Sequence, residues 1–377
     1  MRALIIVDVQ PTFCPGGELA VDGGDDVADR IADLLRTHAA DYHLLVTTQD
    51  WHIAPGDHFS TEPDYVDTWP PHGVAGSPTA ELHPRIVDAL AQVQETHPEL
   101  PYQKLLKGQY AASYSGFDGS NEQGESLVQI LRAHGITHLD VVGLALSHCV
   151  AATALDAAQN GFQVTVLRDL TRPVTPEVGI EAVAKLESAG VHYTHSPHWT
   201  FACYTASRLP HDNIYAAAAA ELARTLGEAG HSIVYGGGNC GLMGVVADAA
   251  LETGASVYGV IPEHFDGHEV EHLHLTRLER VDTMSTRKNR MAELSDCFIA
   301  LPGGVGTLEE IFEVWAHQYL GIHDKPVVFY NTNGYWDTLL QAMDEFVEAG
   351  VLDSQLLHNL VVVDNPTDLL KQVGVGA

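Results

Sequence analysis

Cys149 stands where a short apolar run, Leu139–Leu144, gives way through Ala145 to the helical pattern Cys149-Val150-Ala151-Ala152-Thr153-Ala154. A cysteine that opens a helix feels the positive end of the macrodipole and free backbone N–H groups, both of which favour thiolate. Lys107, in Lys107-Gly108-Gln109-Tyr110, would lower its pKa further. Asp8, in Val7-Asp8-Val9-Gln10 at the end of the first apolar run, could take the thiol proton and return it to a leaving amine. The competing reading of Cys149 is a small buried hydrophobe, the commonest use of free cysteine. A second group comprises Asp50-x-His52, then His58 and His72. Three imidazoles with one carboxylate suit a divalent first-row ion such as Zn, Fe or Mn, although with 22 histidines in the chain chance clustering competes.

The second half carries different chemistry. Two apolar runs lead into glycine-rich turns, Gly236-Gly237-Gly238-Asn239-Cys240-Gly241-Leu242-Met243-Gly244 and Pro302-Gly303-Gly304-Val305-Gly306-Thr307. Glycines there let the backbone approach a ligand, and the following helix N-termini offer N–H donors to phosphate. Neither is a P-loop, since no Lys-Ser/Thr follows, and neither fits the dinucleotide fingerprint. Arg287-Lys288-x-Arg290 is a basic cluster at a helix start, readable as a solvated face or an anion contact. Glu310 falls one turn into the helix after the second glycine turn, facing the same cleft.

These groups need a frame that collects them. Apolar β-branched runs alternate with amphipathic stretches along the whole chain, which predicts α/β architecture: parallel sheets with helices on both faces. Strand candidates are Ala3–Val9, Tyr42–Thr48, Leu139–Leu144, Gln163–Leu167, Trp199–Tyr204, Ser232–Tyr235, Ser256–Ile261, Cys297–Leu301, Pro326–Tyr330 and Leu360–Val363. The alternation restarts near His195-Ser196-Pro197-His198, and 377 residues exceed what one core usually holds, so two domains are expected, 1–196 and 197–377. A formal charge of −31, from 19 Lys+Arg and 50 Asp+Glu, argues against nucleic-acid and membrane partners. It also makes each cation near a motif informative. Five scattered cysteines and no long apolar run indicate a soluble protein of the reducing cytoplasm.

Val7-Asp8-Val9-Gln10, Asp50-Trp51-His52, Thr68-Trp69-Pro70-Pro71-His72, Lys107-Gly108, Tyr114-Ser115-Gly116-Phe117 and Gly143-Leu144-Ala145 before His148-Cys149-Val150 occur in one order. Together they resemble the nicotinamidases of the isochorismatase-like hydrolase superfamily over roughly residues 1–195. The resemblance implies that Asp8, Lys107 and Cys149 are a catalytic triad that deamidates nicotinamide to nicotinate and ammonia through a thioester. It implies that Asp50, His52, His58 and His72 bind one divalent metal that holds the pyridine nitrogen. Phe13, Trp69 and Tyr114 match ring-packing positions, and the Leu144–Ala145 peptide is expected cis, aiming the Ala145 and Cys149 N–H groups at an oxyanion. Leu146-Ser147 stands where the family usually has Thr-Asp. The alternative is an amidase for another amide.

Pro302-Gly303-Gly304-x-Gly306-Thr307-x-x-Glu310, Met284-x-x-Arg287-Lys288, Tyr235-Gly236-Gly237-Gly238 and Gly241-Leu242-Met243-Gly244 resemble the Lonely guy family over roughly residues 199–377. That family cleaves N6-substituted AMP to base and ribose 5-phosphate; its members are often mislabelled lysine decarboxylases. The resemblance implies catalytic roles for Arg287 and Glu310, substrate contacts from Gly237, Gly238, Met243 and Lys288, and a phosphate cradle of Gly303, Gly304, Gly306 and Thr307. No cofactor is expected in this half, and a homodimer through it is. Tyr204 replaces a small residue beside the expected nucleotide site, which opens a second reading: a nucleotide-binding regulator without catalysis.

Overall fold

The computed structural model describes residues 1–65, 68–263 and 271–375. The chain divides into two units, Met1–Ser196 and Pro197–Ala377. Each is a parallel sheet covered by helices on both faces, which is the expected α/β class.

The first unit has six strands: β1 Arg2–Val7, β2 Leu44–Asp50, β3 Tyr102–Lys107, β4 His138–Leu144, β5 Gln163–Arg172 and β6 His192–Thr194, in the order β3-β2-β1-β4-β5-β6. Alternate side chains of a strand point to opposite faces. Leu4 and Ile6 therefore meet the helices Gly24–His38 and Pro84–Thr96. Ala3, Ile5 and Val7 meet Leu127–Ala133, Ala151–Gln159 and Pro176–Ser188. Both faces of β1 are apolar because both are covered.

The chain direction across the sheet reverses between β1 and β4, and such a switch point opens a crevice at the C-terminal strand ends. Register fills that crevice. Val7 is paired with Thr48 on one side and Gly143 on the other, so Asp8 emerges between the ends of β2 and β4. Asp50 and Lys107 are direct partners at the ends of β2 and β3, so their side chains leave the sheet on the same face.

The second unit has seven strands: β7 Thr200–Tyr204, β8 Ser232–Tyr235, β9 Val257–Pro262, β10 Arg277–Val281, β11 Cys297–Ala300, β12 Val327–Tyr330 and β13 Val361–Val363, in the order β10-β9-β8-β7-β11-β12-β13. Phe201 and Cys203 face the helices Asn213–Glu228 and Gly241–Leu251. Ala202 and Tyr204 face Met284–Leu294, Val305–Tyr319 and Asp337–Glu348. Here the switch point lies between β7 and β11.

Three strands were not among the candidates: β3, β6 and β10. All three sit at sheet edges. An edge strand needs no continuous apolar run, and Tyr-Gln-Lys-Leu-Leu-Lys and Arg-Leu-Glu-Arg-Val have none. Among the described residues no helix is long and apolar enough to cross a membrane.

Candidate active sites

At the crevice of the first unit, Lys107 is 1% exposed and lies between two carboxylates. Its Nζ is 2.9 Å from Asp8 Oδ2, makes a short contact with Asp50 Oδ1, donates to Ser113 O at 3.0 Å, and is 3.7 Å from Cys149 Sγ. Asp8 adopts φ +48°, a left-handed conformation unusual for a side-chain-bearing residue, just after β1. Thr48 Oγ1 donates to Asp8 Oδ1 at 2.6 Å, which fixes the carboxylate. Gln10, buried, holds the end of β2: its amide donates to Asp50 O at 3.0 Å and its oxygen accepts from Asp50 N at 2.9 Å.

The electrostatics follow from burial. Burial opposes the Lys107 ammonium, but Asp50 and Asp8 outweigh it and hold its pKa well above a lysine's usual value. Burial raises Asp8 above the ordinary carboxylate range, and Lys107 offsets only part of that. Asp50 is buried as well, yet Lys107 and His52 keep it ionised. The thiol corrects a sequence expectation. Burial first, then Asp8 and Asp50, push Cys149 well above a free cysteine, and Lys107 offsets only part of the effect. The carboxylate of Asp8 lies beside this thiol. The Cys149 helix also begins earlier than expected, with a wide turn over Leu146–Val150.

His52, His58 and His72 bring ring nitrogens within 4.8 Å of one another, all buried. Asp50 Oδ2 lies 3.7 Å from His52 Nε2 and 3.8 Å from His72 Nε2, too long for hydrogen bonds but right for ligands sharing one ion. His52 Nδ1 donates to Gly108 O at 2.6 Å and His72 Nδ1 to Pro70 O at 2.8 Å, which leaves Nε2 as the bare nitrogen of each ring. Burial pushes His72 down to about 4, so it is neutral. His52 Nε2 is buried without a hydrogen-bond partner. The donor set fits a divalent metal.

A cavity of about 280 Å³ opens onto Asp50, His58, His72, Ala145 and Cys149. Phe13, Trp69 and Tyr114 wall it, with Trp69 Nε1 donating to Tyr114 OH at 2.9 Å. The Leu144–Ala145 peptide is cis; Ala145 lines the cavity, whereas Leu144 is wholly in the core. Sequence reasoning missed His148, whose ring lies edge-on to Trp69 at 5.6 Å inside the cavity. It also left out Gly108, although the residue stood in a quoted motif. A Cβ there would lie 2.5 Å from the His52 ring.

In the second unit a cavity of about 260 Å³ lies at the strand ends of the switch point. It is lined by Thr205–Arg208, Gly236, Met243, Arg287, Gly304–Thr307 and Glu310. Arg287, 5% exposed, donates from Nε to Val260 O at 3.1 Å, and its Nη1 lies 3.8 Å from Glu310 Oε1. A Cβ on Gly236 would fall 1.7 Å from Arg287 Nη2, so the guanidinium occupies the space that the glycine leaves. Thr307 Oγ1 is buried without a hydrogen-bond partner at the start of the helix Val305–Tyr319.

Several expected contacts are placed differently. Gly237 points at Leu278, Ile261 and Val260, and Gly238 uses its carbonyl to accept from Tyr235 OH at 3.0 Å; neither lines the cavity. Gly303 sits behind Thr307 rather than at the surface of the cavity. Lys288 turns to Glu309 and Glu313, the latter at 3.0 Å, and not inward. Tyr204 does not line the cavity: it is 2% exposed and stacks on Phe298, ring centroids 6.2 Å apart, on the opposite side of β7 from Cys203, and the charges of Glu310 and Arg287 reach it from there.

The sequence profile described as "Isochorismatase domain" matches residues 2–196, and that described as "Possible lysine decarboxylase" matches residues 243–373. A nicotinamidase/pyrazinamidase of Mycobacterium tuberculosis is 47% identical over 191 residues, 51% of this chain and 97% of that protein. A cytokinin riboside 5′-monophosphate phosphoribohydrolase of the same organism is 39% identical over 173 residues, 46% of this chain and 92% of that one. Among solved structures, a crystal structure of PnC1 from L. infantum in complex with nicotinate covers 52% of this chain and 92% of its own, at 34% identity and a TM-score of 0.42.

Two substitutions test the geometry. Gly108→Ala should displace His52 and lower the bound divalent metal well below that of the parent protein, read by elemental analysis after dialysis. Tyr204→Phe should leave KM of the second unit unchanged and shift stability by about 1 kcal/mol or less, because the ring does not line the cavity. A large KM change would place Tyr204 back at the site.

Proposed function

We propose that this chain, which belongs to the isochorismatase domain family through its first half and to the cytokinin riboside 5′-monophosphate phosphoribohydrolase (Lonely guy) family through its second, is a bifunctional hydrolase. Residues 1–196 deamidate nicotinamide, and residues 197–377 release ribose 5-phosphate from AMP or N6-substituted AMP. The observation that carries the first activity is the buried Asp8–Lys107–Cys149 group, whose Cys149 shares one aromatic-walled cavity with His58 and His72 of the histidine trio.

In the amidase, Phe13, Trp69 and Tyr114 sandwich the pyridine ring and bring its carboxamide to Cys149. Asp8, made more basic by burial, takes the thiol proton as Sγ attacks the carbonyl carbon. The Ala145 and Cys149 N–H groups receive the oxyanion. Asp8 then passes its proton to the departing ammonia, leaving a thioester. The same carboxylate activates water to release nicotinate and restore the thiol. Lys107 keeps its charge throughout and holds Asp8 in line. Asp50, His52, His58 and His72 would hold one divalent metal (Zn, Fe or Mn), which supplies a Lewis-acid anchor for the pyridine nitrogen.

In the second unit, Gly304, Gly306 and Thr307 at the helix start receive the 5′-phosphate. Glu310 stabilises the oxocarbenium-like ribose and orients water, as carboxylates do in glycoside cleavage. Arg287, seated over Gly236, holds the ribose–phosphate side and steadies Glu310. A homodimer through this unit belongs to the same proposal. It is supported by the exposed apolar side chains of Val305, Tyr319, Leu320 and Ile322 on and after one helix. Light scattering at graded concentrations checks it, a monomer throughout being the contrary result. A soluble cytoplasmic location accords with five free cysteines.

Cys149→Ala should abolish ammonia release from nicotinamide, a loss on the order of 10³-fold or more, and leave ribose 5-phosphate release intact. Chelation should remove the first activity alone. Turnover of other amides but not nicotinamide would reject the substrate. Glu310→Ala should remove ribose 5-phosphate release from AMP and isopentenyladenosine monophosphate by a comparable factor and spare the amidase. Nucleotide binding with no release by the parent protein would leave that unit a binding domain.

A further inference from the structure

Arg208 lies at the second cavity, in the loop that follows β7, and it is exposed. Its backbone is pinned. A Cβ on Gly241 would stand 2.3 Å from Arg208 N, so the loop rests directly on the start of the helix Gly241–Leu251. The N–H groups of Leu242 and Met243 also donate to Ala206 O at 3.0 and 3.3 Å. The loop cannot swing away without breaking that contact.

The guanidinium is unusual for this chain. In the second unit the other arginines and Lys288 meet carboxylates: Arg224 meets Glu252, Arg277 and Arg290 meet Glu279, Arg280 meets Glu271, Lys288 meets Glu313, and Arg287 meets Glu310. With 50 acidic residues against 19 basic ones, a partner is easily found. Arg208 has no hydrogen bond or ion pair among the described residues. It stands instead where two arginines and one carboxylate, Glu310, line a cavity. At the same cavity Thr307 Oγ1 is buried without a partner, at the start of a fifteen-residue helix. A fixed loop bearing an unpaired cation, at the same cavity as an unsatisfied buried hydroxyl at a helix N-terminus, is complementary to a dianion.

We infer that Arg208 is a further specificity-determining residue of this site, whose guanidinium closes on the 5′-phosphate of the bound nucleotide and supplies much of the affinity for that group. This rests on the reading of the second unit as a phosphoribohydrolase and adds a residue that the motifs do not contain. The phosphate would be shared between the helix start, which positions it, and Arg208, which balances its second charge. Arg287 is thereby left to the ribose and Glu310.

The test uses the full chain with Arg208→Gln and Arg208→Lys, each checked by thermal unfolding. KM and kcat for ribose 5-phosphate release from AMP are measured across a potassium chloride series, and AMP and adenosine binding by calorimetry. Arg208→Gln should raise KM for AMP about tenfold, leave kcat within about twofold, and flatten the salt dependence, since it removes one charge-assisted contact made equally in the bound and transition states. Arg208→Lys should recover part of the loss, and adenosine binding should not change. Unchanged KM and salt dependence in Arg208→Gln would overturn the inference, as would an equal loss of adenosine binding. If the parent protein binds AMP but releases nothing, the hydrolase reading fails on its own. An Arg208-dependent AMP affinity would then still uphold the phosphate contact, and an Arg208-independent one would reject it.

Discussion

A buried ammonium held between two buried carboxylates is the constraint on which the first site depends. Removing Lys107 from water is costly, and only the paired charges of Asp8 and Asp50 make its burial sustainable. That requirement links the two chemistries of the site. Asp8 faces the nucleophile and Asp50 faces the histidine trio, so one cation fixes both the acid–base carboxylate and a metal-directed one. The sheet supplies this arrangement through register: Asp50 and Lys107 are strand partners, and Asp8 leaves β1 between them and Cys149.

The second unit solves a milder version of the same problem. Arg287 is buried beside Glu310, but its guanidinium also donates to a backbone carbonyl and lies in the space above Gly236. Where the first unit locks its cation between anions, the second leaves room at its cavity for an anion brought by the ligand. The two units therefore reach opposite electrostatic characters from one architecture. An amide is neutral and a nucleotide is not, and the sites differ accordingly.

Much of this was legible in the residues. Asp8, Asp50 and Cys149 follow apolar runs, and in parallel α/β sheets strand ends converge on one crevice. His52, His58 and His72 stood out as a candidate donor set, but with 22 histidines in the chain chance clustering competed, and only their place in the order of the family motifs favoured the metal reading. What failed to show was what depends on depth and direction. Lys107 near Cys149 suggested a thiolate, but spacing along the chain did not reveal that two carboxylates share the same pocket and outweigh it. Lys288 is adjacent to Arg287, yet helical rotation turns it to Glu309 and Glu313. Tyr204 and Cys203 alternate across β7, so only Cys203 reaches the cavity. The edge strands β3, β6 and β10 escaped because exposure on their rims removes the apolar signature.

The central claim, that Cys149 attacks from within the lysine–carboxylate clamp, is tested most directly by rapid quenching of the full chain with nicotinamide, followed by peptide mass spectrometry. The account predicts a nicotinoyl thioester on the peptide containing Cys149, formed before ammonia release reaches steady state and absent in Lys107→Met. Ammonia release at full rate with no acyl adduct, or with the adduct on another residue, would contradict it.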